Sequence, residues 1–277
     1  MQWLTSRYVI DLSRPIVMGI VNVTPDSFSD GGALRMAGAA QALCDRLVAE
    51  GAGILDIGGE STRPGAQAPT VAEELARVLP VVQHAVRLGV PVSVDTSQTE
   101  VMRAALDAGA DIINDVRSFT RPGALQVLAA HASAGACVMH MQGEPDTMVA
   151  LSQYDDVVVH VRDFLQQQLQ RLVQAGVAAQ RVVLDPGIGF AKTAAHNWAL
   201  LQRQAELLTL GRPLLLGWSR KGSLGQLTGR PVDQRQSASV AAALAAVQRG
   251  ASIVRVHDVA ATVDALKVWH AAGLPCT

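Results

Sequence analysis

The chain has 277 residues, of which 49% are hydrophobic and only 4% are aromatic, and its formal net charge is −1. A charge so close to zero gives no reason to expect nucleic acid or an acidic membrane surface as a partner. The three cysteines lie far apart without a C-x-x-C pair, so the sequence suggests neither a cysteine-rich zinc site nor a disulfide framework. No basic segment followed by an apolar one opens the chain, so we expect a cytoplasmic protein.

Eight short apolar runs recur along the chain, and segments with helical periodicity separate most of them. The runs are nearly continuous rather than alternating, which is typical of parallel strands that are covered on both faces. The predicted strands are residues 16–23, 53–57, 91–95, 111–116, 136–141, 182–185, 213–217 and 252–256. The clearest predicted helices are residues 37–50, 70–88, 99–108, 157–175 and 194–208.

Eight strand–helix units in a chain of this length predict an α/β protein with a single (β/α)8 TIM barrel as its one domain, residues 1–277. A doubly wound open sheet is the alternative that the pattern leaves open. Residues 141–155 and 227–235 are longer than usual connections after a strand. We expect both as extended βα loops on the C-terminal face, where barrels bind their ligands.

Polar or ionisable residues follow nearly every predicted strand. Each has an ordinary explanation alone, since an Asp at a strand end often caps the next helix and His140 fits a core as well as a ligand site. A whole ring of them is different, because buried acids without partners cost several kcal/mol, so a ligand is expected to supply the partners. The ring comprises Asn22, Glu60, Ser61, Thr62, Arg63, Asp95, Asn114, Asp115, His140, Asp185, Ser219, Arg220, Lys221, Arg255 and His257.

The ring divides into two chemical groups. Asp95, Asn114 and Asp185 are hydrogen-bond acceptors that suit a flat heterocycle with several N–H groups, such as a 2-aminopyrimidinone edge. The second group suits phosphate oxygens and comprises Thr62 with the cations Arg63, Arg220, Lys221, Arg255 and His257.

Asn22 precedes Thr24, Asp26 and Asp30, and such oxygen ligands suit Mg2+. The sequence has no H-E-x-x-H, P-loop G-K-[ST] or G-x-S-x-G motif, which argues against a zinc peptidase, a P-loop enzyme and a serine hydrolase.

Several long motifs closely resemble those of the bacterial dihydropteroate synthase family, in that family's order and over almost the whole chain. They are N-V-T-P-D-S-F-S-D-G-G (22–32), G-G-E-S-T-R-P-G-A (58–66), S-V-D-T (93–96), I-I-N-D-V (112–116), M-H-M-Q-G (139–143), L-D-P-G-I-G-F (184–190), S-R-K (219–221) and R-V-H-D-V (255–259).

The resemblance implies a TIM barrel, usually a homodimer, that acts in folate biosynthesis. The family condenses 6-hydroxymethyl-7,8-dihydropterin diphosphate with 4-aminobenzoate, releases diphosphate and forms 7,8-dihydropteroate, and sulfonamides compete with the aminobenzoate. We expect an SN1-like reaction assisted by Mg2+, with residues 24–36 and 61–69 closing over the site.

By matching motif, the resemblance also implies roles for single residues. The residues expected to bind the pterin are Asp95, Asn114, Asp185 and Lys221, with Arg255 packing on its ring. Those expected at the diphosphate are Thr62, Arg63, Arg255 and His257, with Asn22 as the Mg2+ ligand. Those expected to shape the aminobenzoate pocket are Phe28, Pro64, Phe190, Ser219 and Lys221, and Asp30 is expected to order the first loop. We expect the central catalytic set to be Asp95, Asp185, Lys221, Arg255 and His257.

Three positions depart from the usual family pattern. Ala191 stands where glycine is common, Trp218 stands where an aliphatic residue or Met is more familiar, and Gly222 replaces a bulkier or hydroxyl residue. Three alternatives remain at this point: a pterin- or folate-binding barrel of a corrinoid-linked methyltransferase, a non-catalytic pterin-binding protein and a phosphosugar barrel enzyme.

Overall fold

All eight apolar runs are strands of one closed parallel barrel in the computed structural model of the protein, which describes residues 1–24, 33–61, 68–144 and 148–274. A two-stranded antiparallel hairpin, β1 (Gln2–Leu4) and β2 (Val9–Asp11), precedes the barrel. The barrel strands are β3 (Ile16–Asn22), β4 (Ile54–Gly58), β5 (Val92–Asp95), β6 (Ile112–Asp115), β7 (Gly135–Met139), β8 (Val182–Asp185), β9 (Leu214–Leu216) and β10 (Ala251–Val256). The barrel closes where β10 pairs with β3, which confirms the (β/α)8 prediction and rules out the open sheet.

Helices follow the strands as the periodicity predicts. They are α1 (Ala33–Ala49), α2 (Val71–Ala85), α3 (Thr99–Asp107), α4 (Ala124–Ala130), α5 (Val157–Gln174), α6 (Ala194–Gln202), α7 (Ala205–Leu208), α8 (Gly222–Thr228), α9 (Gln236–Gln248) and α10 (Val259–Ala271). Thr70 caps α2 through a capping box with Glu73, so that helix begins one residue after the predicted start. The predicted helix 194–208 is two helices, because the chain leaves α6 after Gln202.

One of the two long-loop predictions is wrong. Residues 227–235 begin inside α8 and lead on to α9, so they connect two helices rather than a strand and a helix. The break between these helices comes from Gly229, whose φ of 70° forms a left-handed C-cap. The segment 141–155 does follow β7 on the C-terminal face, and it includes a 3-10 turn at Met148–Leu151 before Asp156 caps α5.

The barrel interior begins with an apolar layer near the amino ends of the strands. The first hairpin covers this layer with Trp3, Ile10 and Leu12, all of them buried. The layer itself consists of Met18, Ile54, Ile112, Cys137, Val183, Leu215 and Ile253. The hairpin therefore closes the amino end of the barrel and leaves the carboxyl end for ligands.

Trp3 ties the hairpin to the barrel. Its side chain is fully buried, and its indole Nε1 donates a 2.8 Å hydrogen bond to the carbonyl of Arg181. Arg181 in turn donates to the carbonyls of Ala134 at 2.6 Å and His131 at 2.8 Å, which holds the entry to β7.

Among the described residues, no helix has both the length and the apolar character needed to cross a membrane. Cys44 and Cys137 are buried free thiols, and Cys276 lies outside the described residues.

We expect Trp3→Ala to lower the free energy of unfolding by about 3–5 kcal/mol, because it removes a large buried side chain from the amino end of the barrel. Urea denaturation followed by circular dichroism measures the change. Val9 is 62% exposed on the same hairpin, so Val9→Ala is the matched control and should change the free energy of unfolding by less than about 0.5 kcal/mol. Equal effects of the two substitutions would contradict an anchoring role for Trp3.

Candidate active site

On four of the eight strands the interior of the barrel changes from apolar to polar or charged within one step along the strand. Side chains two residues apart lie on the same face of a strand, so the residue two positions after each apolar-layer residue forms the next layer. On β4, β6, β8 and β10 this step leads from Ile54 to Asp56, from Ile112 to Asn114, from Val183 to Asp185 and from Ile253 to Arg255. The candidate active site is therefore the second layer of the barrel, directly above its apolar floor.

Arg255 lies at the centre of the charged layer. Its Nε donates a 2.6 Å hydrogen bond to Oδ2 of Asp56, and its Nη2 donates a 2.9 Å bond to Oδ2 of Asp95. Asn114 Nδ2 donates to the same oxygen of Asp56 at 3.2 Å. Burial lowers the pKa of Arg255, but the attraction of Asp56 and Asp95 outweighs it, so that the pKa is raised overall.

The two carboxylates beside Arg255 retain unused acceptor capacity. Oδ1 of Asp56 is buried and has no hydrogen-bond partner among the described residues. Burial raises the pKa of Asp95 and repulsion from Asp56 adds to the rise, while Arg255 opposes it. These oxygens can take N–H donors from a ligand, since a buried acceptor gains most from a new partner.

Asp185 and Lys221 lie close enough to Arg255 and to each other for their charges to interact. Oδ1 of Asp185 accepts the backbone N–H of Gly187 at 2.7 Å, and burial raises the pKa of this carboxyl group to about 6, against that hydrogen bond and the charge of Lys221. Burial lowers the pKa of Lys221 to about 8, which the attraction of Asp185 limits. The Nζ atom of Lys221 lies 4.3 Å from the centroid of the Phe190 ring, a cation–π contact.

Ser219 fixes the orientation of His257. The Oγ atom of Ser219 accepts the backbone N–H of His257 at 3.2 Å and lies 3.0 Å from its Nδ1. Burial, with the charge of Arg220, lowers the pKa of His257 to about 3, so the ring is neutral near pH 7. A hydroxyl that donates to Nδ1 leaves the hydrogen on Nε2, which makes the ring an outward hydrogen-bond donor.

His140 belongs to the packing behind the site. It is 1% exposed, its Nδ1 lies 2.8 Å from Nζ of Lys192, and its ring packs edge-on against Phe164. Burial lowers the pKa of His140 to about 2. Lys192 also donates to the carbonyls of Gly187 at 3.0 Å and Phe190 at 2.9 Å, so this pair holds the loop after β8.

Arg220 differs from the other predicted phosphate ligands. Its Nη2 makes a 2.8 Å ion pair with Oδ1 of Asp258, and its backbone carbonyl accepts from Arg235 at 3.1 Å. The sequence analysis grouped Arg220 with the cations that suit phosphate. In the structure its guanidinium is instead paired with the carboxylate of Asp258.

Arg117 joins the loops that leave four neighbouring strands. Its guanidinium donates to Glu60 at 3.0 Å after β4, to Ser97 at 2.9 Å after β5 and to Glu144 at 2.6 Å after β7. Asp115, at the end of β6, accepts from the backbone N–H of Arg117 and from the hydroxyl of Ser97. Burial lowers the pKa of Arg117, but its hydrogen bonds with Glu60 and Glu144 raise it above its ordinary value.

The structure places part of the predicted site and leaves part undescribed. Asn22 is half-buried at the end of β3, where it pairs in register with Gly58. Five predicted site residues lie outside the described residues: Phe28, Asp30, Thr62, Arg63 and Pro64.

Two departures from the family pattern have structural counterparts. Ala191 has a φ of 49°, a left-handed conformation that favours glycine. Trp218 is buried and stacks on Trp198 of α6, with ring centroids 4.9 Å apart and an interplanar angle of 24°. Nothing in the structure explains Gly222, the exposed first residue of α8.

Asp56, Arg117 and Asn197 are polar residues of the site region that sequence reasoning missed. Asp56 had a visible signal, because it is the single acid inside the apolar run of β4. The sequence gives no visible signal for Arg117 or Asn197, because their hydrogen-bond partners come from other loops of the barrel.

Comparison with known proteins agrees with this geometry. A sequence model for the family described as pterin binding enzyme matches residues 18–257. Dihydropteroate synthase of Neisseria meningitidis serogroup B is 51% identical to this chain over 278 residues, 98% of each chain. A solved structure of Xanthomonas albilineans dihydropteroate synthase with 4-aminobenzoic acid has a TM-score of 0.91 and 52% identity, and the match covers 96% of both chains. The same enzyme in complex with 7,8-dihydropteroate has a TM-score of 0.88 at 49% identity, covering 96% of this chain and 97% of that one.

A barrel of eight strands with this acidic second layer, matched from β3 to His257, belongs to the family of pterin binding enzymes. Within that family the chain is a member of the dihydropteroate synthases, because it shares about half of its residues with them over nearly its whole length. This membership rules out the phosphosugar enzyme and the corrinoid-linked methyltransferase as alternatives.

We expect Arg117→Met to lower the free energy of unfolding by about 3–5 kcal/mol, because it leaves the buried carboxylate of Glu60 without its partner. Urea denaturation measures the change. Arg162→Met is the matched control, since Arg162 pairs with Asp163 at the surface, and it should cost less than about 1 kcal/mol. A loss below about 1 kcal/mol for Arg117→Met would show that the network contributes little.

Proposed function

We propose that this chain condenses 6-hydroxymethyl-7,8-dihydropterin diphosphate with 4-aminobenzoate to give 7,8-dihydropteroate and diphosphate. The observation that carries the proposal is the acceptor-rich layer around Arg255, in which Asp56, Asp95, Asn114 and Asp185 lie together toward the carboxyl end of the barrel. Membership of the dihydropteroate synthases supplies the identity of the two substrates.

The pterin binds with its N–H groups toward the acidic layer. Asp95 and Asp185 accept from these groups, and Asn114 can both donate and accept. A charged acceptor facing an N–C–N edge makes a paired hydrogen bond stronger than a neutral one. Lys221 and Arg255 lie against the ligand as donors, and Arg255 can turn its guanidinium face to the ring.

The diphosphate binds at the mouth of the barrel. There His257 presents Nε2–H, with Arg255 below it on the same strand end. Thr62 and Arg63, which lie outside the described residues, complete the set that the resemblance implies.

The residues at the mouth fit a magnesium ion. Asn22 offers a hard oxygen ligand at the end of β3, and Mg2+ keeps several waters and takes few protein ligands beside phosphate. When bound, the ion neutralises charge on the leaving diphosphate.

The residues of the chain support a dissociative, SN1-like departure of diphosphate. Positive charge that develops on the pterin methylene is shared by the electron-rich ring, and Asp95 and Asp185 stabilise that ring electrostatically. His257 and Arg255 donate hydrogen bonds to the departing oxygens. The arylamine then attacks and loses its proton to solvent or diphosphate, so the chain needs no strong general base.

The aminobenzoate pocket lies beside Lys221. The ring of Phe190, the hydroxyl of Ser219 and the stem of Lys221 form its described walls. Phe28 and Pro64 are expected to complete it, and sulfonamides are expected to compete there. Asp30 is expected to order the first loop.

We also propose that the protein is a cytoplasmic homodimer, as the resemblance implies. The free thiols of Cys44 and Cys137 fit a reducing compartment.

A diphosphate-release assay tests the proposed reaction. Release should require the pterin diphosphate, 4-aminobenzoate and Mg2+ together, and a sulfonamide should inhibit it. Asn22→Ala should raise the half-saturating Mg2+ concentration, because it removes the proposed ligand. Failure to form 7,8-dihydropteroate would overturn the function, and an unchanged Mg2+ requirement would overturn the role of Asn22.

We expect Asp185→Asn to abolish measurable pterin binding, because an amide is a weaker acceptor than a carboxylate. Its oxygen can still accept from Gly187, so the turn after β8 is kept. Isothermal titration calorimetry measures the affinity, with Asp163→Asn, at an exposed surface pair, as the control.

The same carboxyl group predicts a pH dependence. The pKa of Asp185 is raised to about 6, so below that pH the free protein holds a proton that binding must remove. Pterin affinity should therefore fall by up to about tenfold for each pH unit below the pKa. Near-normal affinity in Asp185→Asn would show that the pocket assignment is wrong.

A further inference from the structure

Asn197 connects the loop that follows β8 to the end of the loop that follows β9, where α8 begins. Its Oδ1 accepts the backbone N–H of Gly189 at 2.9 Å, and its Nδ2 donates to Oγ of Ser223 at 2.9 Å. The side chain is 1% exposed and lies in the first half of α6, behind both loops. Among the hydrogen bonds of the described residues, this carboxamide is the side-chain group that joins one loop to the other.

These two loops carry the described walls of the aminobenzoate pocket. Phe190 follows Gly189 directly, and Lys221 lies two residues before Ser223. The loops touch through the contact of Lys221 with the Phe190 ring. They approach so closely that a Cβ on Gly189, where φ is +82°, would lie 3.0 Å from Cδ of Lys221.

Other contacts hold each loop separately. Lys192 donates to the carbonyls of Gly187 and Phe190, and the hydroxyl of Tyr154 donates to the carbonyl of Ala191 at 2.9 Å. These bonds fix the loop after β8 without reaching the loop after β9. Asn197 therefore supplies the side-chain hydrogen bonds that relate the two loops among the described residues.

The chemistry of the carboxamide suits this position. Gly189 needs an acceptor and Ser223 can accept, and an amide supplies one oxygen and one N–H group at a fixed separation. Trp198, the next residue, stacks on Trp218, which holds α6 against the end of β9. Asn197 thus acts from a rigid helix.

We propose that Asn197 is a positioning residue that sets the distance between Phe190 and Lys221 and thereby the affinity for the arylamine substrate. It does this through Gly189 and Ser223 and does not touch the substrate. The inference deepens the proposed function and rests on it.

The test measures steady-state kinetics and pterin binding for Asn197→Ala. The substitution should raise KM for 4-aminobenzoate about tenfold, because it removes both hydrogen bonds and leaves a buried N–H unpaired. It should change kcat by less than about threefold, and the Kd for pterin diphosphate by calorimetry by less than about threefold, since Asp95, Asn114 and Asp185 keep their places and Asp185 still attracts the ammonium group of Lys221. A general loss of structure would instead change KM for 4-aminobenzoate, kcat and the Kd for pterin diphosphate together.

Two milder variants keep the test informative if Asn197→Ala folds poorly. Ser223→Ala removes one bond and should raise KM for 4-aminobenzoate by a smaller factor, about threefold. Asn197→Asp keeps an acceptor for the backbone N–H of Gly189, and its second oxygen can accept from the Ser223 hydroxyl. Its KM for 4-aminobenzoate should therefore be lower than that of Asn197→Ala.

Gln204→Ala is the matched control. Gln204 is also a fully buried amide, and its Nε2 donates to the carbonyls of Ala246 and Arg249 at 2.9 Å, away from both loops. It should lower the melting temperature and leave KM for 4-aminobenzoate unchanged. An equal rise in KM for Gln204→Ala, or an unchanged KM in folded Asn197→Ala and Ser223→Ala, would overturn this inference alone. No condensation by the unaltered protein would overturn the proposed function and the inference with it.

Discussion

The guanidinium of Arg255 between Asp56 and Asp95 makes the rest of the site possible. Two carboxylates this close inside a barrel would repel each other, and burial would drive both toward the neutral form. One shared cation opposes that shift and fixes the positions of both carboxylates before any ligand arrives. Breaking such a cluster by removing one member is far more costly than its net contribution to stability.

This arrangement divides the barrel into two layers with different tasks. The apolar layer from Met18 to Ile253, closed by Trp3 and the first hairpin, supplies buried area at the amino end. The charged layer begins only two residues further along β4, β6, β8 and β10, where the chain can place polar and ionisable groups because the floor below them is already packed. Beyond that layer, Arg117 joins the loops that follow β4, β5, β6 and β7.

The positions of the strands could be predicted from the sequence, because parallel strands that are covered on both faces consist of nearly continuous apolar residues. Sequence reasoning also located Asp95, Asn114, Asp185, Arg255 and His257, since each comes at a strand end. It missed Asp56, which lies inside a strand, and the hairpin, whose strands have three residues each and too little pattern to detect. Arg117 and Asn197 were beyond its reach, because their partners come from loops distant along the chain. The segment 227–235 was misassigned because a helix as short as α8 resembles a loop in sequence.

The stack of Trp198 on Trp218 has an optical consequence. Two of the four tryptophans of the chain lie in contact behind Ser219 and Lys221, while Trp3 lies at the opposite end of the barrel. Stacked indoles couple their electronic transitions, and the strength of that coupling depends on the separation and angle of the rings. The native chain therefore carries its own chromophore pair beside the proposed arylamine pocket, and near-ultraviolet circular dichroism can detect movements of this region without an added label.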